Sequence, residues 1–321
     1  MSGRPGGPSD PRRATPGRRV RASARQARDR ADAARAKAAA VRQQLERRRP
    51  GNRWIDAAFV AIERDARTGG GVLAAALAFR CFTFLIPFVF VIVTGMPFLG
   101  DATRADPKDL ADTFGMSGLI AQAIGQAGDL SVWNRTWLLV VSGIALVFAA
   151  RGLVRVLRIT HGLAWNVPVP RLQRPFTAAG LLIGAMAAIL AVGALIARVQ
   201  DAVGLLGVIP FLAWGVLVVG IWTAVQARLP HADVPWTHLV PGSVLVAVGV
   251  QILQFATTYW FTRSIESQSE TYGALGAALA ILVWAYIVGR ITVTGAMFNV
   301  ALEEQRTRAR AKRPGPGDRP V

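Results

Sequence analysis

Residues 73–95, LAAALAFRCFTFLIPFVFVIVTG, form an apolar run broken by a single charge, Arg80. A bilayer's hydrocarbon core is about 30 Å thick and takes roughly 20 helical residues, so this run is long enough to cross it. With no water in that core the backbone must satisfy its own hydrogen bonds, and an uninterrupted segment of this length does so as an α-helix. Six such stretches are read, near 72–98, 136–159, 176–197, 203–226, 239–261 and 273–300. The expected fold class is therefore all-α: a polytopic membrane protein with six transmembrane helices, preceded by an amphipathic interfacial helix and a basic N-terminal tail.

Composition agrees only if two kinds of segment share the chain. The sequence is 52% hydrophobic with a mean hydropathy of +0.37, yet carries a formal charge of +18. Residues 1–53 hold sixteen Lys and Arg against four acids and few large apolar side chains. Such a segment cannot bury a core and reads as a cytoplasmic tail, disordered or a solvated helix. It has no apolar stretch of the kind a secretory signal needs. It also lacks aromatic side chains on which bases could stack, so anionic lipid, and not nucleic acid, is its expected partner. Residues 54–302 are the transmembrane domain and 303–321 a second basic cytoplasmic tail. The stripe Trp54, Ala58 and Ile62, flanked by Ile55 and Phe59, predicts the amphipathic helix on the inner leaflet, and the glycines at 69–71 its bend into the membrane.

Charge near the helix ends sets orientation. The 101–135 loop carries five Asp against Arg104, Lys108 and Arg135, which suits the outside; residues 151–175 carry five Arg and no acid, which suits the cytoplasm. Trp133, Trp137, Trp236 and Trp260 fall at expected interfaces. Both termini are expected in the cytoplasm, in a bacterial inner membrane.

The arginines are what an apolar chain must justify. Counted from Val72, Arg80 lies about 12 Å into the membrane, and Arg290, counted back from Asn299, lies roughly 13 Å in. In the second crossing only about 21 Å of uncharged helix, Trp137 to Ala150, precedes Arg151, so the helix must continue through its arginines. Arg151, Arg155 and Arg158 then share one face. A central arginine costs about 2.5–3.5 kcal/mol on insertion scales and normally faces a cavity or a partner. No acid falls within the six runs, so an inward-open cavity lined by Arg80, Arg290, Arg151 and Arg155 is expected to receive an anion, whose oxygens guanidinium groups bind bidentately. Gln251 and Gln254 on the fifth crossing form a polar stripe suited to the same substrate or to a neighbouring helix. GLLIG at 180–184 permits close helix contact, within the chain or in a homo-oligomer.

No catalytic chemistry is indicated. Cys81 is the only cysteine, and His161, His231 and His238 are scattered without metal-ligand spacing, so neither a metal nor another cofactor is expected. No nucleophile and base stand together, and no nucleotide-binding motif is present.

AAALAFRCFTFLIP at 74–87, LVPG at 239–242 and YGALGAALAILVWAYIVGRITVTGAMFNVAL at 272–302 resemble the conserved blocks of the YihY/virulence factor BrkB family of bacterial inner-membrane proteins, formerly known as ribonuclease BN. The matching residues are Pro87, Pro241, Gly242, Tyr272, Gly273, Gly276, Trp284, Tyr286, Gly295 and Asn299. The resemblance implies six transmembrane helices and a role in moving envelope components, with a membrane or envelope protein as a partner. Two positions depart from the family pattern: Met297 stands where members often carry an acid, and Arg80 where they commonly carry an aromatic residue. The nuclease label finds no His/Asp cluster to activate water. The function expected is therefore a transporter or flippase-like carrier of an anionic substrate or anionic lipid headgroup. The alternative is a non-catalytic scaffold that recruits partners or acidic lipids through its tails.

Overall fold

The computed structural model describes residues 16–103, 119–170, 174–203, 208–256 and 262–311, all helical apart from short connections. The helices are α1 (Pro16–Arg48), α2 (Arg53–Arg67), α3 (Gly70–Thr103), α4 (Leu119–Gly128), α5 (Val132–Trp165), α6 (Pro175–Val203), α7 (Val208–Gln226), α8 (Val240–Ala256) and α9 (Thr262–Ala311). The chain divides into two compact units, Met1–Asp56 and Ala57–Val321.

The first unit is dominated by α1. Its alanines and arginines are strong helix formers, and i, i+3 and i, i+4 pairs such as Arg35–Asp32 and Arg42–Glu46 add a little on a solvated surface. Arg49 also pairs with Asp56 at 2.6 Å.

In the second unit, α3, α5, α9 and the Pro175–Val192 part of α6 are long and apolar enough to cross a membrane, while α7 and α8 offer shorter apolar stretches, Leu212–Gln226 and Val240–Ala256. Helix α3 packs against α5 and α9, α9 also against α8 and α5, and α6 and α7 join through α5 and α8. Small residues set the closest crossings. A Cβ on Gly289 would lie 2.7 Å from the Ala74 carbonyl of α3, and one on Gly295 would lie 2.9 Å from the Gly242 carbonyl of α8.

Two boundaries differ from the sequence reading. Residues 262–272, expected as a loop, belong to α9, which contains no proline to stop it. At its other end α9 runs past Leu302 to Ala311, because the polar extension is paired: Arg64 of α2 holds Glu304, and Glu303 accepts from His238 Nδ1 at 2.7 Å and from Arg306 at 3.3 Å. The N-terminal tail is helical from Pro16, the second of the two forms expected for it. Trp260 and the polar Thr257 and Thr258 lie outside the described residues.

Helix α2 forms where the amphipathic stripe predicts it, but the face turned to the protein is the alanine face. Ala57 and Ala61 are buried with Val293, Met297 and Val300 of α9, while Trp54 and Ile62 stay exposed. The turn into α3 is made by Gly69, whose φ of +67° is a left-handed conformation that glycine adopts without strain.

Candidate functional site

The arginine-bearing half of α5 is framed by its two ends. Ser131 caps its start, accepting from the Asn134 amide. Asn166 closes it in the left-handed conformation, with Asn166 N–H on the Leu163 carbonyl and Val167 N–H on that of Gly162, a Schellman pattern. The chain then doubles back: Val169 fills the space left by Gly162, and Arg158 Nη2 donates to the Pro170 carbonyl at 2.8 Å.

Between this turn, α3 and the start of α6 lies a cleft of about 790 Å³. Arg80, Arg151, Arg155 and Arg158 line it, with Phe148, Ile159, Val169 and Pro175 among the apolar walls. Arg80 is ten residues into α3, about 15 Å along the helix. Its side chain crosses α5 at Gly152, where a Cβ would meet Nη1 at 3.1 Å, so the missing side chain at 152 makes room for the guanidinium. Arg151 is held between rings, with Cζ 4.5 Å from the Phe176 centroid and 5.7 Å from that of Phe148. Cation–π contact of this kind orients a guanidinium without neutralising it. Among the described residues no Asp or Glu lines the cleft, and the ion pairs involve none of its four arginines.

Arg290 is elsewhere. Its Nη1 and Nη2 donate to Asp65 Oδ1 and Oδ2 at 3.1 and 3.0 Å, a bidentate pair between α9 and α2. The expectation that both deep arginines lack a protein counter-ion is corrected here for Arg290; for Arg80 no ion pair is found among the described residues. The apolar runs hold no acid, and the nearest before the first, Glu63 and Asp65, reach the arginines only if the chain folds back; α2 does so at Gly69 and delivers Asp65. Gly70 completes the arrangement, since a Cβ there would overlap the Asp65 carboxylate. The carboxylate also sits at the N-terminus of α3, where the helix dipole favours negative charge.

Gln251 lines a different, apolar groove between α7 and α8, with Leu212, Val216 and Phe255; Gln254 is exposed one turn on. Neither approaches the arginine cleft as a lining residue.

The motif residues that resemble a family converge at a buried polar cluster. Asn299 Oδ1 accepts from the Gly242 amide at 2.6 Å, and its Nδ2 donates to Gln226 Oε1 and the Leu239 carbonyl, both at 2.9 Å. Gln226 Nε2 reaches Ser243 Oγ at 3.0 Å. Gln226, Ser243 and Asn299 are almost wholly buried. The first amides of α8 have no partner within the helix; Pro241 has no N–H to satisfy, and Asn299 caps Gly242 from another helix. Met297, two residues before Asn299, is fully buried in the apolar cluster. Pro87 lies within α3, and Trp284 and Tyr286 face outward. Tyr272, Gly273 and Gly276 fall within α9, and their burial and contacts are outside what is described.

Three participants were missed from sequence. Gly152 reads as one more small residue in an apolar helix. Gln226, the polar end of an apolar run, was a visible signal. Arg135 was counted as a loop charge, yet it is buried, pairs with Asp101 at 3.2 Å and lies over the Phe98 ring at 5.2 Å, joining α5 to the end of α3. Among the described residues no group of His, Cys, Asp or Glu is arranged to hold a metal.

A family model described as Virulence factor BrkB matches residues 61–319. The chain is 24% identical over 260 residues to a UPF0761 membrane protein of Methylibium petroleiphilum, covering 76% of this chain and 61% of that one. It is 25% identical over 264 residues to a UPF0761 membrane protein of Verminephrobacter eiseniae, covering 78% and 62%. A third, from Albidiferax ferrireducens, is 24% identical over 274 residues, covering 76% and 61%. The chain thus spans about three fifths of the length of the curated relatives it matches. No solved structure matches it significantly.

Proposed function

The chain belongs to the Virulence factor BrkB family and is an integral membrane protein, and we propose that it carries an anionic group through the cleft of Arg80, Arg151, Arg155 and Arg158. The observation behind this reading is the charge imbalance of the cleft. Four guanidinium groups share one recess, and no carboxylate among the described residues lines it. Charge held at membrane depth without a protein partner is stabilised by water or by an anion, and guanidinium groups suit phosphate or carboxylate oxygens. The volume lies in the ordinary range for ligand sites, about 300–1,000 Å³.

In this reading α7 and α8 complete six crossings; the 19 residues of α7 give roughly 29 Å of helix. Both termini face the cytoplasm of a bacterial inner membrane, and the exposed Trp54 and Ile62 of α2 rest in the inner interface. Arg290, neutralised by Asp65, serves the fold and leaves the ligand set.

The exposed basic helix α1 supports a second reading, a scaffold that recruits acidic partners. Proteoliposomes containing headgroup-labelled anionic or zwitterionic lipid separate the two. The carrier reading expects the anionic probe to cross at least about tenfold more slowly in the Arg80→Leu, Arg151→Leu double variant, with deletion of 17–48 changing the rate less than twofold. The scaffold reading expects no protein-dependent transfer in any of these proteins, and that outcome would overturn the carrier.

A further inference from the structure

Resting on the carrier reading above, we infer that the cleft's ligand is a membrane lipid bearing a phosphate monoester, seated headgroup-first on the arginines with its acyl chains along α5. The outer surface of α5 is built in the matching order. Trp137, Val141, Ile144 and Phe148 recur at spacings of four, three and four residues, and all four are exposed, at 63%, 47%, 55% and 60%. The same spacing continues into Arg151, Arg155 and Arg158, so one helix face is apolar and then cationic. The apolar part rises about 17 Å from Phe148 to Trp137, about half the thickness of the hydrocarbon core. That is the reach of acyl chains in one leaflet. A water-soluble anion has no use for such a track, whereas a lipid is complementary to both halves.

The cleft also lifts the charge away from the ordinary headgroup level. Arg151 is about 21 Å below Trp137 and Arg158 about 31 Å. In the proposed topology Arg158, which is tied to the Pro170 carbonyl, lies at the inner surface, and Arg151 and Arg80 stand above it, inside hydrocarbon. A headgroup passing from Arg158 through Arg155 to Arg151 moves upward against a desolvation cost that only strong charge pairing offsets. Phosphate diesters, the common anionic headgroups, carry one negative charge. A monoester carries nearly two at neutral pH and exposes three terminal oxygens to the fork of each guanidinium. Four uncompensated cations therefore discriminate in favour of the monoester.

The test uses the full chain in phosphatidylcholine nanodiscs holding equal amounts of phosphatidic acid and phosphatidylglycerol, with retained lipid counted by native mass spectrometry, and glycerol 3-phosphate added as a soluble competitor. Phosphatidic acid is expected to be enriched at least fivefold over phosphatidylglycerol, to resist the competitor, and to lose its enrichment in Arg151→Gln with Arg155→Gln. Should that pair not fold, Ile144→Asn on the apolar track must reduce the enrichment with every arginine in place. Equal retention of the two anionic lipids would overturn the monoester assignment and leave the carrier reading standing. Displacement by glycerol 3-phosphate would overturn the lipid assignment alone. Retention of neither lipid, with no binding of the soluble phosphate, would sink both.

Discussion

Replacing Asn299 by leucine is expected to destabilise the membrane unit by about 3–5 kcal/mol, the largest effect of any single substitution considered. Interhelical hydrogen bonds in membranes average only about 0.6 kcal/mol, because the separated helices find other partners. The Asn299 site differs in what it leaves behind. Asn299 serves three groups outside its own helix, and all of them are buried. Leucine would strand the Gly242 amide and the Gln226 carbonyl oxygen, each at about 1–3 kcal/mol, and would press a branched side chain against the closest helix crossing. At about 2–4 °C per kcal/mol for a unit of this size, the melting temperature in detergent falls by about 10 °C. Gly242→Ala reaches the same crossing from the other side, since its Cβ would overlap the Gly295 carbonyl. The two substitutions should therefore combine sub-additively. A melting temperature within about 2 °C of wild type for Asn299→Leu would mean that the cluster is not holding α8 to α9.

The second large effect is expected at Asp65 and Arg290. Removing one member of a buried pair costs about 3–5 kcal/mol because the other charge is left unpaired. Here both side chains are partly exposed, and the expected loss for Asp65→Asn or Arg290→Gln is about 2–3 kcal/mol. The double variant removes both charges and should recover part of that loss, giving a coupling of about 1–2 kcal/mol in a double-mutant cycle of unfolding free energies. Gly70→Ala, which removes neither charge, should resemble Asp65→Asn because its Cβ displaces the carboxylate. Strict additivity would contradict the pairing and return Arg290 to the set of arginines awaiting an anion.

These two sites show where sequence reading reached and where it stopped. Long apolar runs announce membrane helices because hydrocarbon imposes a length and forbids unsatisfied backbone, and α3, α5, α6 and α9 were legible for that reason. The spacing of Arg151, Arg155 and Arg158 placed them on one face, and the cleft contains all three together with Arg80. Partners distant in sequence were not legible. Asp65 and Arg290 are 225 positions apart, and their meeting depends on the left-handed turn at Gly69, which sequence marked as a bend without fixing its direction. The family-like residues were visible as a pattern, but their physical role was not, because it required knowing that Asn299 of one helix faces the open N-terminus of another. The end of α9 was misplaced for a related reason: charge was read as a tail, whereas Glu303 and Glu304 are paired and extend the helix.

The central claim is that the guanidinium charge gathered in the cleft of Arg80, Arg151 and Arg155 is balanced by a bound anion and not by a side chain. It is tested most directly by an electron cryomicroscopy map of the full chain in nanodiscs containing anionic lipid. The account predicts a compact density within hydrogen-bonding distance of Arg80, Arg151 and Arg155, continuous with chain-like density along Ile144 and Val141. A carboxylate from any part of the protein resting on those arginines, in place of that density, would contradict it.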